Sequence, residues 1–315
     1  MTSAKASRRV LQSLLVLVGV SIVSFALIHL VPGDPARIAL GPRATLRAVD
    51  AARRTLGLDK PLITQYLDFV TGALRGNLGY SIQQRASVSS LLANRILPSI
   101  LLVLYATVLA VLLAVPLGLI SALKRDRLPD HVIRIVTMVT FAMPAFWLGL
   151  VLVELLSLRA HLLPVSGYGG SFAEKLKDLL LPALTIALYL APMLIRTLRS
   201  SVIDVLDSDF VEAARARGLS ERRVVLKHVL RNASIATVTV LAVNLGFLIS
   251  GTVVIEVVFD IPGLGSLIVT AVESRDFPVV QALTLIFGAF VIAVNLLADL
   301  AYAVIDPRVR QASAT

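Results

Sequence analysis

The chain has 315 residues, 57% of them hydrophobic and 16% charged, with a net charge of +10 and a mean hydropathy of +0.85. Two soluble domains are excluded, because the apolar residues gather into runs long enough to cross a hydrocarbon layer of roughly 30 Å; the chain reads as an integral protein of the lipid bilayer. The absence of cysteine excludes a disulfide framework, a thiolate metal site and a cysteine nucleophile. Lysines and arginines border the apolar runs instead of clustering with aromatics on one face, which argues against a nucleic-acid partner.

Lys5, Arg8 and Arg9 precede the first run, Val10 to Val31. It superficially looks like a signal peptide, but it exceeds a typical h-region and Pro32-Gly33-Asp34-Pro35 offers no small-residue cleavage site. Residues 1–31 are therefore expected to be an N-terminal tail and a retained first span, with the N-terminus inside. Residues 32–97 hold two amphipathic patches, Pro35 to Leu56 and Leu62 to Leu74, neither able to span. Asp34 before Pro35 predicts a helix start, and Gly57 with Asp59, Lys60 and Pro61 a stop. This is expected to be an external region of short helices; its nine basic residues (Arg37, Arg43, Arg47, Arg53, Arg54, Lys60, Arg75, Arg85, Arg95) do not oppose that, since the positive-inside rule weakens for long loops.

Residues 98–305 carry five further expected spans: Pro98 to Leu123, Val132 to Leu158 with a kink at Pro144, Leu179 to Ile195 bent by Pro182 and Pro192, Ser234 to Val258, and Val279 to Ile305. Between the last two, Phe259 to Gly265 reads as a tight turn back toward the membrane. Residues 306–315 form an expected cytoplasmic tail. The inner segments carry three (Lys5, Arg8, Arg9), four (Lys124, Arg125, Arg127, Arg134), eight (Arg196 to Arg231) and two (Arg308, Arg310) basic residues, against three and one in the short outer loops. That asymmetry predicts six spans with both termini cytoplasmic.

The polar stretch 207–232 reads as helix, glycine turn, helix. Asp209 is the expected N-cap, with Glu212 three residues on in the capping-box position; Phe210, Ala213, Ala214 and Arg217 share one side of a two-turn helix. Gly218 supplies the left-handed stop, and Ser220 with Glu221 a second cap.

Glu212-Ala213-Ala214, three residues and then Gly218 resembles the EAA loop of permease subunits in ATP-binding cassette (ABC) importers. Ordered landmarks extend the likeness to the dipeptide/oligopeptide branch: Pro32 to Pro35, Leu56 to Leu62, Gly76 to Ser81, Leu181 to Thr185, Arg215 to Ser220, His228 to Ala233, Pro262 to Gly265, Arg275-Asp276, Asn295 with Asp299, and Asp306 to Arg308. Ala236, Asn77 and Ser87 depart from the residues frequent there. The resemblance implies an all-α membrane protein with the type I ABC importer permease fold. It further implies a homologous second permease, two separate ABC ATPase subunits, an external or periplasmic solute-binding protein, residence in the inner membrane, and peptide cargo. Asp209, Glu212, Ala213, Ala214, Arg215, Arg217, Gly218 and Ser220 are the implied ATPase-coupling residues: alanines allow close approach, and Glu212, Arg215 and Arg217 pair with charges around the ATPase groove.

No GxxxxGK[ST] segment is present to cradle ATP phosphates, so a nucleotide would act on partner subunits and the chain needs no catalytic residue, cofactor or metal. The alternative is a secondary transporter or channel driven by an ion gradient, for which Asp299 is the clearest intramembrane carboxylate, with Glu154 and Glu256 near span ends. A membrane hydrolase is opposed by four scattered histidines and the lack of HExxH or GxSxG.

Overall fold

The structure, a computed structural model, describes residues 3–30, 32–41 and 43–305. In chain order its elements are α1 (Ser3–Leu30), α2 (Pro35–Leu40), α3 (Leu46–Thr55), α4 (Leu62–Leu74), β1 (Tyr80–Ser81), β2 (Ala86–Ser87), α5 (Val88–Leu123), α6 (Leu128–Ala142), α7 (Ala145–Leu152), α8 (Phe172–Leu206), α9 (Asp209–Ala216), α10 (Glu221–Arg223), α11 (Leu230–Val258), α12 (Leu264–Glu273) and α13 (Phe277–Ile305). A π-helical turn extends α7 over Val153–Arg159, and another joins α10 to α11 over Val224–Val229. Among the described residues five helices are long and apolar enough to cross a membrane, and the bent pair α6–α7 makes a sixth crossing if it is one span.

The chain folds as two compact units. The first comprises residues up to Ile100 and Pro262–Ala293. Its short helices start and stop where local chemistry dictates: Asp34 caps α2 by accepting from the Ala36 amide at 3.2 Å and binds Arg53 at 2.8 Å, with Pro35 at the first helical position. Gly57, at φ +68°, follows α3. A small antiparallel hairpin, β1 with β2, leads into α5, which begins ten residues before the expected Pro98. Val88 and Leu92 of α5 pack with Leu264, Leu267 and Ala271 of α12 and Leu283 of α13. The Ser81 hydroxyl donates to the buried Asp276 carboxylate just before α13. Gly288 of α13 leaves room for α1, since a Cβ there would meet Val20 at 2.6 Å.

Among the described residues the second unit spans Leu101–Ile261 and 294–305. Helix α8 is its axis, the most buried of the candidate spans. A capping box starts it, Ser171 accepting from the Glu174 amide while Glu174 accepts from the Ser171 amide, seven residues before the expected Leu179. It runs unbroken through Pro182 and Pro192 to Leu206, eleven residues past the expected Ile195. The expected kink at Pro144 is a 108° turn: Met143 and Pro144 are both extended, because proline lacks an amide donor and disfavours helical geometry in the residue before it. Close helix approach is set by two glycines. A Cβ at Gly118 would lie 3.0 Å from Leu198, and one at Gly149 3.1 Å from Phe259 and 3.3 Å from Thr185.

Candidate functional site

Helix α9 lies in the polar connection between α8 and α11. Its N-cap is Ser208, not Asp209, so Asp209 is the first helical residue and the expected Asp209–Glu212 capping box does not form. The Ser208 hydroxyl instead donates to the Val205 carbonyl at 2.5 Å. Asp209 and Glu212 still sit in the first turn, where carboxylates favour the positive helix end. Gly218 takes the left-handed conformation, φ +76°, and turns the chain into α10, whose N-cap is Ser220.

The helix has two edges. Val211 and Ala214 are buried at 0% and 7% exposure, packed with Leu198 and Val202 of α8, Ala122 of α5, and Val224, Val229 and Ala233 of the following helix. Phe210, Glu212, Ala213, Arg217 and Gly218 are exposed. The sequence grouping of Ala213 with Ala214 therefore divides: Ala214 holds the loop onto the bundle and Ala213 faces outward. Arg215 is engaged within the loop, its guanidinium bonding both Glu221 oxygens at 2.8 and 3.3 Å, whereas Glu212 and Arg217 form no ion pair among the described residues.

Beneath the loop lies an ion pair that sequence reasoning missed. Asp130, at the start of α6, is fully buried and accepts from Arg199 of α8 at 2.8 and 2.6 Å, from the Ser121 hydroxyl of α5 at 2.5 Å and from the Asp126 amide at 3.0 Å. Its only signal was an acid in a helix first turn after Pro129, which equally describes an exposed residue. Asp130 thus ties α5, α6 and α8 together, held by Ser121 and by Arg199, which was expected merely to mark an inner helix end.

The remaining ionisable candidates are separated. Glu154 is exposed and bound to Arg159 at 2.8 Å, Glu256 is buried at the end of α11, and the Asp299 side chain lies outside the described residues. His131 lies at the start of α6, and His29 is 3.2 Å from Gln65.

Residues 114–311 match the family described as the inner membrane component of binding-protein-dependent transport systems, and residues 6–104 match its N-terminal part. The glutathione transport system permease protein GsiC of Escherichia coli K12 is 40% identical over 291 residues, 92% of this chain and 94% of that protein. The protein of the same name from Salmonella typhi is 40% identical over 303 residues, 96% and 97% of the two chains. Among solved structures, an inward-facing MetNI methionine ABC transporter aligns with a TM-score of 0.56 at 14% identity, covering 69% of this chain and 96% of that one. An amino acid ABC transporter crystallised with histidines gives 0.54 at 14%, covering 68% and 94%. These two share the fold.

Proposed function

The chain belongs to the binding-protein-dependent permeases of ABC importers, and from that membership we propose that it forms half of a path for small peptides, driven through α9 by two separate ATPase subunits. Membership decides against the ion-gradient alternative. It also supports a second, homologous permease as the other half and an external binding protein that delivers cargo. The naming of its relatives as glutathione permeases supports a peptide cargo. The distribution of Lys and Arg supports placing both termini and α9 on the cytoplasmic side of the inner membrane.

The observation that carries the coupling role is the division of α9. One edge is locked into the bundle by Val211 and Ala214, while Phe210, Ala213 and Arg217, at i, i+3 and i+7, leave the adjoining edge open. A small residue between an aromatic ring and a guanidinium lets a partner backbone approach closely while two larger groups fix its register. Motion of an ATPase holding that edge reaches Leu198 and Val202 of α8 through Val211, and the spans then rock between outward and inward openings.

Because the chain has no cysteine, Ala213→Cys introduces a unique thiol. It should react with a membrane-impermeant maleimide in inside-out vesicles only, and should crosslink to the ATPase in the assembled importer. Reaction from the outer surface, or no crosslink in an ATP-competent complex, defeats the proposal.

A further inference from the structure

Between Leu179 and Ile203, α8 is buried or half-buried except at Tyr189, Met193, Arg196 and Ser200. Steps of four, three and four residues put these on a single line along the helix. A lipid-facing line would stay apolar; this one passes from phenol and thioether to guanidinium and hydroxyl.

The line joins two cavities. One, of about 460 Å³, is lined by Pro144, Tyr189, Leu190, Asn244 and Leu248. The other, of about 750 Å³, is lined by Arg125, His131, Arg134, Arg196, Arg199 and Ser200 among others. Met193 lies between Tyr189 and Arg196, its sulfur 3.5 Å from the Asn244 amide nitrogen. In the larger cavity Arg199 is neutralised by buried Asp130 and Arg125 lies 3.4 Å from Asp126. Arg134 on α6 and Arg196 on α8 form no ion pair among the described residues, and both are exposed. Two unneutralised guanidiniums on neighbouring helices suit planar anions that accept two parallel N–H bonds each, of which carboxylates are the peptide example.

We infer that this line is the cargo-facing wall of the permease and that Arg134 and Arg196 receive the carboxylates of a small acidic peptide as it passes through the larger cavity. The inference rests on the importer reading above and adds to it a cargo class and the residues that select it.

The test uses the complete importer, with both permeases, ATPases and binding protein, in liposomes, with glutathione and a neutral tripeptide amide as probes. The Arg134→Gln/Arg196→Gln pair should lower ATP-dependent glutathione uptake about tenfold or more, the least expected from losing one or two charge-assisted hydrogen bonds. The Arg134→Lys/Arg196→Lys pair should retain much of it, and ATPase stimulation by the loaded binding protein should persist in both. Uptake at the wild-type rate by the Gln pair overturns the inference. So does loss of subunit assembly in that pair, which would make the arginines a contact between chains, and so does an equal loss when anionic lipid is removed from wild-type vesicles, which would make the cavity a headgroup site. Wild-type import of the neutral peptide with refusal of glutathione also overturns it while leaving the importer intact. ATP-independent uptake defeats the importer reading itself.

Discussion

Replacing Arg199 by Gln should destabilise the second unit by about 3–5 kcal/mol, the usual cost of stripping one partner from a buried ion pair. The structure supports the middle of that range. The Asp130 side chain is 0% exposed and that of Arg199 20%, and two of the four hydrogen bonds reaching the carboxylate come from the guanidinium. Two unit charges about 4 Å apart at an effective dielectric of about 20 interact by about 4 kcal/mol, which the orphaned carboxylate would lose. Asp130→Leu/Arg199→Leu removes both charges together and should recover most of the loss, because paired apolar replacements are commonly neutral. Thermal unfolding of the detergent-solubilised complex, followed by loss of monodisperse protein, ranks the variants: wild type near the double substitution, both well above Arg199→Gln. If Arg199→Gln unfolds at the wild-type temperature, or the double substitution is as unstable as the single, the three-helix tie is not what holds these elements.

Ala213→Leu should leave the unfolding temperature unchanged but reduce ATP-coupled uptake, whereas Ala214→Leu, forced into the packed side, should cost about 1–3 kcal/mol; equal thermal losses would contradict the two-edged helix. Gly218→Ala meets no neighbouring atom but carries a left-handed backbone, so it should cost about 1–2 kcal/mol and show as faster proteolysis at that turn. Glu212→Arg should abolish uptake while the protein still accumulates in the membrane, checked by transport and immunoblot together. Burial holds the Asp276 carboxyl above the usual carboxylate range. A group that binds its proton more readily folded than unfolded stabilises most below its unfolded pKa and loses that contribution as pH rises through its folded value. The wild-type thermal midpoint should therefore fall more steeply above about pH 4 than that of Asp276→Asn, and equal slopes would contradict this.

Apolar run length and basic flanks placed the long helices, since bilayer thickness and backbone hydrogen bonding permit few alternatives. Asp34 and Gly57 marked their turns because each acts through its own backbone neighbours. Helix ends were read less well. α5 and α8 extend beyond their apolar cores because Val88, Leu198 and Val202 pack against residues far away in sequence, which no local window registers. The same reason hid Asp130, whose partner is 69 residues away. It also hid the difference between two adjacent alanines, since a short helix shows its spacing but not which side the bundle will cover. Asp209 failed as a cap because Ser208, one residue earlier, was equally suited by type.

Helix α8 has 35 residues, about 52 Å at 1.5 Å per residue. It is pinned to α5 at Gly118–Leu198 and to α6 through Arg199–Asp130, both close to the end that carries α9. A rod held in that way does not bend when its end is pushed; it pivots. A tilt of about 10° about those contacts, which lie about 12 Å from Leu206 and about 39 Å from Phe172 at 1.5 Å per residue, would carry the α9 end about 2 Å and the far end about 7 Å in the opposite sense. Under the proposed coupling, the stiffness of one long helix would convert a small push at its α9 end into a larger swing at the other, with no messenger passing between them.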